Sequence, residues 1–319
     1  MSHNLRVRAI VFSRPLHAEL HEGIRLPEMD DEGILVRTEF STISRGTELD
    51  LYTGQMHGQG ASMQWYPMLP GYMPVGIVEA VGKKVENLSV GDRVVGSNLF
   101  ATLDERYCTA WAGHTEMVMI GRNTHPGLAA KRAVKIPAGL PPETAGLAML
   151  AGVAWHGVSK KIMPTTGEIV LVIGMGVIGN FSAQLCRAMG ARVLAADRYE
   201  NRLELARANG LEETILSAEG ALKQAVLERT NGRQPDAVIE VTGENAPLRE
   251  ALEIVRPYGR IQAQGMYLDE LKINLVRVLF NKNLTLSSTG GETPELTAEC
   301  LQMMLDGRLS THGMLSTIA

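Results

Sequence analysis

Hydrophobic and polar positions change rhythm about two-fifths of the way along the chain. Before Pro137, short segments alternate apolar with polar at period two, over residues 6–12, 34–39, 76–81 and 93–96, with Gly, Pro and Asp between them. That alternation predicts half-buried strands. Residues 78–96 read as strand, turn and strand, and Gly82, Gly91 and Gly96 suit the corners of a small barrel. After Pro137, Pro141-Pro142-Glu143-Thr144 opens a helix, and residues 145–159 are small and apolar at helical spacing. From there strands and helices take turns. Strands are expected at 169–173, 192–196, 237–241, 260–264 and 284–287, and helices at 181–189, 202–209 and 248–255. This order predicts a doubly wound parallel sheet. Internal repeats, low-complexity tracts and charge blocks are absent from the sequence.

Residues 168–197 carry the most information. Five consecutive apolar residues, Ile169 to Ile173, suit a strand buried on both faces. The turn Gly174-Met175-Gly176-Val177-Ile178-Gly179 follows and leads into a helix marked by Phe181, Leu185, Cys186 and Met189. Gly174 permits the tight turn, Gly176 lets the backbone approach a pyrophosphate, and Gly179 lets helix and strand pack closely. The helix start offers free N–H groups and a positive dipole end to that anion. Asp197 ends the next strand about twenty residues on, where a carboxylate accepts from the ribose hydroxyls of an adenosine. The acid repels a 2′-phosphate, so the expected cofactor is NAD, although neighbouring Arg198 weighs towards NADP.

Composition narrows the class. At 319 residues there is chain for two domains; 45% hydrophobic and 21% charged residues are globular values. A net charge of -4 points to no nucleic-acid partner, and no apolar run is long enough to cross a membrane. Three scattered cysteines, Cys108, Cys186 and Cys300, fit a reducing cytoplasm better than a disulfide framework. Sixteen methionines against five phenylalanines read as core filling.

A β-rich first part followed by a nucleotide-binding α/β part resembles the medium-chain dehydrogenase/reductase superfamily. The resemblance rests on GYMPVGIVEAVG (71–82), VGDRVV (90–95), AVKIP (133–137), residues 143–158, the dinucleotide segment and GRIQAQG (259–265). It implies an α/β protein with a GroES-like β-barrel catalytic domain at 1–140 and a Rossmann domain at 141–290. Residues 291–319 are expected as a shortened C-terminal segment returning towards the catalytic domain. The resemblance further implies a cleft between the domains that the nicotinamide enters. In the zinc enzymes of this superfamily the metal is held by a Cys, a His and a third Cys or acid. Here those positions fall on Arg45, Tyr72 and Ala151. A guanidinium has no free lone pair and a phenol is a poor zinc ligand, so a zinc-free member is expected. The cysteine-rich structural zinc lobe is also out of reach with Cys108 alone. A metal site would need His57, His114 or His125 to converge with an acid. The pairing of S-x-G-T-E with G-Y-x-x-V-G is similar to a zinc-free branch that includes the bacteriochlorophyllide hydroxyethyl dehydrogenases.

Without metal, a developing alkoxide needs hydrogen-bond donors. The resemblance places Thr47 where a proton-relay hydroxyl lies beside the nicotinamide ribose; the alternative is a turn threonine. Glu48 is either a base or a partner orienting Tyr72 or Arg45. Tyr72 either donates to an oxyanion or fills the space of the lost metal. Arg45 either binds an anionic substrate group, pairs with Glu48, or reaches the pyrophosphate. His57, His114 and His156 are weighed as solvated or packed histidines rather than substrate ligands, and Trp65, Tyr66 and Trp111 as packing. On the cofactor side the resemblance sets Arg202 over the adenosine ribose. It also sets Thr242-Gly243 and Gly265-Met266 against the nicotinamide half. The segment at 281–289 resembles an edge strand through which relatives dimerise, so a homodimer is expected. The expected activity is hydride transfer between NAD and a secondary alcohol or ketone, the substrate being a polyol, a sugar-like alcohol or a hydroxyethyl group. The alternatives are an NADPH-dependent enoyl or quinone reductase and a dinucleotide-binding protein without catalysis.

Overall fold

A computed structural model describes residues 5–55, 65–96, 104–121, 133–218 and 220–315. Contacts divide the chain into two units: Met1–Met149 with Thr293–Leu301, and Leu150–Glu292 with Gln302–Ala319.

The first unit is built on two sheets. One has the order β2-β1-β4-β7, from strands β1 (Arg6–Arg14), β2 (His17–Arg25), β4 (Met68–Leu69) and β7 (Cys108–Thr109). The other, β8-β3-β5-β6-β9, comprises β3 (Ile34–Thr42), β5 (Met73–Val81), β6 (Arg93–Gly96), β8 (Met117–Ile120) and β9 (Ala133–Lys135). Alternation does its work in β1: Val7, Ala9 and Val11 are buried while Arg6, Arg8 and Ile10 face out. Strand β2 has no such pattern, burying only Ile24, and takes its place by antiparallel pairing with β1 from Arg6↔Arg25 to Arg14↔His17. Ile34, Val36, Val78, Val94, Val118 and Ile120 form the core of the second sheet. Helix α1 (Thr47–Thr53) follows β3 after a short link.

The helix expected over 145–159 is in fact α2 (Pro142–Ala145) and α3 (Ala148–Gly157), the latter running into a π-helical turn at Val158–Ile162. Pro164, just beyond, cannot continue a helix.

In the second unit, six parallel strands lie in the order β12-β11-β10-β13-β14-β15. They are β10 (Ile169–Ile173), β11 (Arg192–Asp197), β12 (Thr214–Leu216), β13 (Ala237–Glu240), β14 (Arg260–Ala263) and β15 (Thr285–Ser288). Between them run α4 (Val177–Ala188), α5 (Glu200–Ala208), α6 (Leu222–Arg229) and α7 (Asn245–Ile254); α8 (Pro294–Leu305), which follows β15 in sequence, belongs to the first unit as far as Leu301. All five residues of β10 are buried, as a central strand covered on both faces requires. The chain moves outward from β10 to β12, then returns to β13 on β10's other side. That reversal makes a switch point, and ligands of such sheets bind outside the strands' carboxyl ends there. The main chain at Ser310 and His312 is held by Gln184 of α4 and by Asn209. Among the described residues no helix is long and apolar enough to cross a membrane.

Candidate functional site

At the carboxyl end of β10 the chain turns through Gly174, whose N–H donates to Ala196 O at 2.8 Å, and enters α4. Gly176 caps that helix with no side-chain acceptor for the first N–H groups. A Cβ at Gly176 would meet nothing within 4 Å, so the space in front of the helix start is open. Open space, uncapped donors and the positive dipole end are what a diphosphate requires. Val177 and Ile178 are half-buried in the first turn of α4, and Met175 is fully buried.

Asp197, its side chain 3% exposed, closes this turn from β11. Its Oδ2 accepts from Met175 N at 2.7 Å and its Oδ1 from Tyr199 N at 2.9 Å. Arg202 Nη1 stands 3.4 Å from Oδ2. A carboxylate offers about four acceptor sites, so two backbone donors leave capacity for hydroxyls. The guanidiniums of Arg198 and Arg202 each lie 5.0 Å from the ring centre of Tyr199, which is 45% exposed.

The loop after β13 meets this turn, and the loop after β14 packs on that loop. Thr242 lies against Gly174, and Gly243 and Gly265 pass backbone to backbone, with Met266 exposed beside them. One carboxyl ties both loops together. Fully buried Glu240 accepts from Thr242 N at 2.9 Å and Thr242 Oγ1 at 2.5 Å, and its other oxygen accepts from Tyr267 Oη. Burial pushes the Glu240 carboxyl up, against the lowering effect of these donors, and burial with the adjacent Glu240 pushes the Tyr267 phenol up. A raised carboxyl keeps its proton to higher pH in the folded chain than in the unfolded one. Glu240 therefore contributes stability that is present below the ordinary glutamate range and declines as pH rises from that range towards its folded value. Each such proton changes the unfolding free energy by up to about 1.4 kcal/mol per pH unit. Glu240→Gln is expected to flatten this decline, read as urea midpoints between pH 5 and 8.

In the first unit, Gly71 (φ +118°) is pressed against the backbone of Gly113 and His114, leaving no room for a Cβ. This crossing brings His114 beside α1. Buried Glu48 there accepts from Ser44 N at 2.6 Å through Oε2, and its Oε1 lies 2.9 Å from His114 Nε2. His114 Nδ1 lies 2.7 Å from Ser41 Oγ. The expected pairing of Glu48 with Arg45 or Tyr72 is not what forms. Arg45 is exposed, with no ion pair among the described residues. The half-buried Tyr72 packs its ring 4.9 Å from that of Trp111. Thr47 begins α1, half-buried, one residue before Glu48. Ser41 falls in no motif of the sequence, where His114 reads as a loop histidine. Nothing local marks either residue, because the three belong to segments 66 and 73 residues apart.

Most of the other aromatic and histidine candidates among the described residues are packed or hydrogen-bonded within the protein. Tyr66 donates to Leu51 O, Trp111 is buried, Trp65 is exposed, and His156 Nδ1 lies 3.1 Å from Gly291 O. His57 and His125 lie outside the described residues. Among the described residues no three His, Cys, Asp or Glu side chains are grouped closely enough to hold a metal ion.

Fold and glycine turn together define a two-unit protein with a dinucleotide-binding sheet, and its similarity to known families and enzymes makes it an oxidoreductase that belongs to the medium-chain dehydrogenase/reductase superfamily. The alcohol dehydrogenase GroES-like domain family matches residues 30–145, and the zinc-binding dehydrogenase family matches residues 177–306. The chain is 30% identical over 293 residues to an L-threonine 3-dehydrogenase of Shewanella frigidimarina, covering 88% of this chain and 84% of that one. It is 27% identical over 309 residues to an alcohol dehydrogenase of Geobacillus stearothermophilus, covering 94% and 88%. Among solved structures it is similar to alcohol dehydrogenase TADH from Thermus sp. ATN1, with TM-score 0.79, 26% identity, and 95% and 90% coverage.

Proposed function

We propose that this protein is an NAD-dependent dehydrogenase that interconverts a secondary alcohol and its ketone without zinc. The observation that carries this reading is the buried Asp197 carboxylate at the end of β11, set beside the open start of α4. The diphosphate would lie against residues 174–179, with Asp197 and Arg202 at the adenosine ribose. Thr242, Gly243, Gly265 and Met266 would meet the nicotinamide half. Bound there, the coenzyme supplies the hydride acceptor or donor. Thr47 would offer a hydroxyl to the substrate oxygen, and Tyr72 would either donate to that oxygen or fill the space that a metal takes in the zinc enzymes. Arg45, exposed and without an ion pair among the described residues, is available to an anionic group on the substrate.

Zinc independence is supported by the chemistry of the donor set: Arg45, Tyr72 and Ala151 hold no N, S or carboxylate ligand. Similarity to alcohol and threonine dehydrogenases supports a small secondary alcohol: a polyol, a sugar-like alcohol or a hydroxyethyl group. Arg198 and Arg202 around Tyr199 favour a second reading, an NADPH-dependent reductase. Cys108, Cys186 and Cys300 are all buried and none is in a disulfide among the described residues, which supports a cytoplasmic protein. Edge strand β15 exposes Thr285, Leu286 and Ser288, and exposed Leu275, Val276 and Phe280 lie in the segment leading to it, which supports a homodimer through that edge.

The test is a panel of polyols, sugar alcohols, hydroxy amino acids and hydroxyethyl aromatics, read as NADH absorbance before and after prolonged chelation. Turnover with NAD that survives chelation is expected. Loss of activity on chelation with recovery on adding zinc would refute the metal-free reading, and preference for NADPH would favour the reductase.

A further inference from the structure

We propose that Ser41, His114 and Glu48 form a proton relay, with Ser41 Oγ as the atom that meets the substrate oxygen; this rests on the dehydrogenase reading above. Three facts build the relay. Ser41 is exposed at the end of β3, while His114 and Glu48 behind it have side chains only 11% and 2% exposed. The two contacts, 2.7 Å from Ser41 Oγ to His114 Nδ1 and 2.9 Å from His114 Nε2 to Glu48 Oε1, run in series from surface to interior. The remaining Glu48 oxygen is held by Ser44 N–H, which fixes the carboxylate in place.

Donor and acceptor chemistry orients the chain. An ionised carboxylate only accepts, so Nε2 carries the imidazole proton and donates it to Glu48. Nδ1 is then the acceptor, and the Ser41 hydroxyl donates to it. This is the logic of a hydroxyl–histidine–acid chain, in which the acid fixes the tautomer and stabilises the imidazolium. The other charged groups on these elements are already engaged or set apart. Arg37 and Glu39 of β3 pair with Glu79 and Arg93 at 2.7 and 2.9 Å, and Glu116, two residues after His114, pairs with Arg8 at 2.5 Å. Asp50 of α1 is pushed up by burial. His114 is thus the group in this row placed to receive a proton from Ser41.

In alcohol oxidation the substrate O–H bond breaks and its proton bonds to Ser41 Oγ as the Ser41 proton passes to His114 Nδ1. The oxygen's freed electron pair completes the C=O bond, and an oxidised nicotinamide coenzyme, when bound, would supply the acceptor for the hydride that leaves carbon. The imidazolium is balanced by Glu48, and after ketone release the proton returns through Ser41 to water. Ketone reduction runs the same transfers backwards. The relay supplies the proton handling that a metal-bound alkoxide would otherwise assist.

The experiment uses the full chain with 15N-labelled histidine and the variants Ser41→Ala, Ser41→Thr and His114→Gln. Without coenzyme, long-range proton–nitrogen correlation spectra should show His114 as the Nε2–H tautomer; an Nδ1–H tautomer overturns the relay. With NAD and the best alcohol of the panel, His114→Gln should lower kcat by about 10²–10³-fold, the scale of general acid–base catalysis. Ser41→Ala should lower it comparably and diminish the solvent deuterium isotope effect, Ser41→Thr should restore most of the loss, and NADH affinity should be the same in all four proteins. Ser41 is exposed, so its variants do not depend on repacking a core. Wild-type turnover with Ser41→Ala within twofold of it overturns the relay and leaves the dehydrogenase reading standing. Absence of wild-type turnover on every alcohol, with NAD bound, refutes that reading and the relay with it.

Discussion

Gly179→Ala is expected to destabilise the second unit severely, whereas Gly176→Ala, three residues earlier, is expected to leave it folded. A Cβ at Gly179 would overlap the Gly174 carbonyl oxygen and press on Val241 Cγ2 at 3.0 Å. The first obstacle is backbone, which cannot swing aside as the end of a side chain does. Relief would require α4 to withdraw from the turn, yet Phe181, Ala183, Leu185 and Cys186 of that helix are all buried. Overpacking of this kind costs about 1–3 kcal/mol in ordinary cores, and a backbone clash belongs at or above the upper end. At Gly176 the new methyl points into open space instead, so the expected loss falls on ligand rather than fold. It would occupy the room needed by the diphosphate, with NADH affinity falling about a hundredfold, or roughly 2.7 kcal/mol. Thermal melts and NADH fluorescence titrations on the two variants separate the effects. Equal melting temperatures for Gly179→Ala and the wild type would refute the close packing of helix on turn.

How far this could be read in the sequence depended on whether the deciding interaction was local. Strand β10, the glycine turn, α4 and β11 were all legible, because an unbroken apolar run and three glycines constrain the chain within thirty residues. Strand β2 was not, since HAELHEGIR has no apolar face and owes its conformation to pairing with β1. Strand β12 is three residues long, too short for periodicity to register. Glu240 ended an apolar run and carried no mark of its place, which is set by Thr242 and by Tyr267 from another loop. The same holds for the link from Glu48 to His114. A motif told where Glu48 stood along the chain, but the crossing of residues 71 and 113 decided which partner it met.

Asp197→Ala is expected to weaken NAD binding by about a hundredfold or more and to raise relative affinity for NADP. The substitution removes three things together: the acceptor for Met175 N–H, the acceptor for Tyr199 N–H, and a negative charge beside the ribose position. The first two shape the turn, and a backbone donor left without a partner costs about 1–3 kcal/mol. Only the third distinguishes the dinucleotides. With the carboxylate gone, Arg202 loses its partner at 3.4 Å, and both Arg202 and Arg198 are free to bind a 2′-phosphate by charge-assisted hydrogen bonds. The two contributions separate by ligand. If Asp197 served only to shape the turn, NAD and NADP would weaken by the same factor, because both place the same diphosphate against it. If it also grips the ribose, the NADP to NAD affinity ratio rises, and ADP-ribose loses affinity in step with NAD while nicotinamide mononucleotide is unaffected. Titration of these four ligands against wild type and Asp197→Ala decides it, and an unchanged ratio would remove Asp197 from cofactor discrimination while leaving its place in the turn intact.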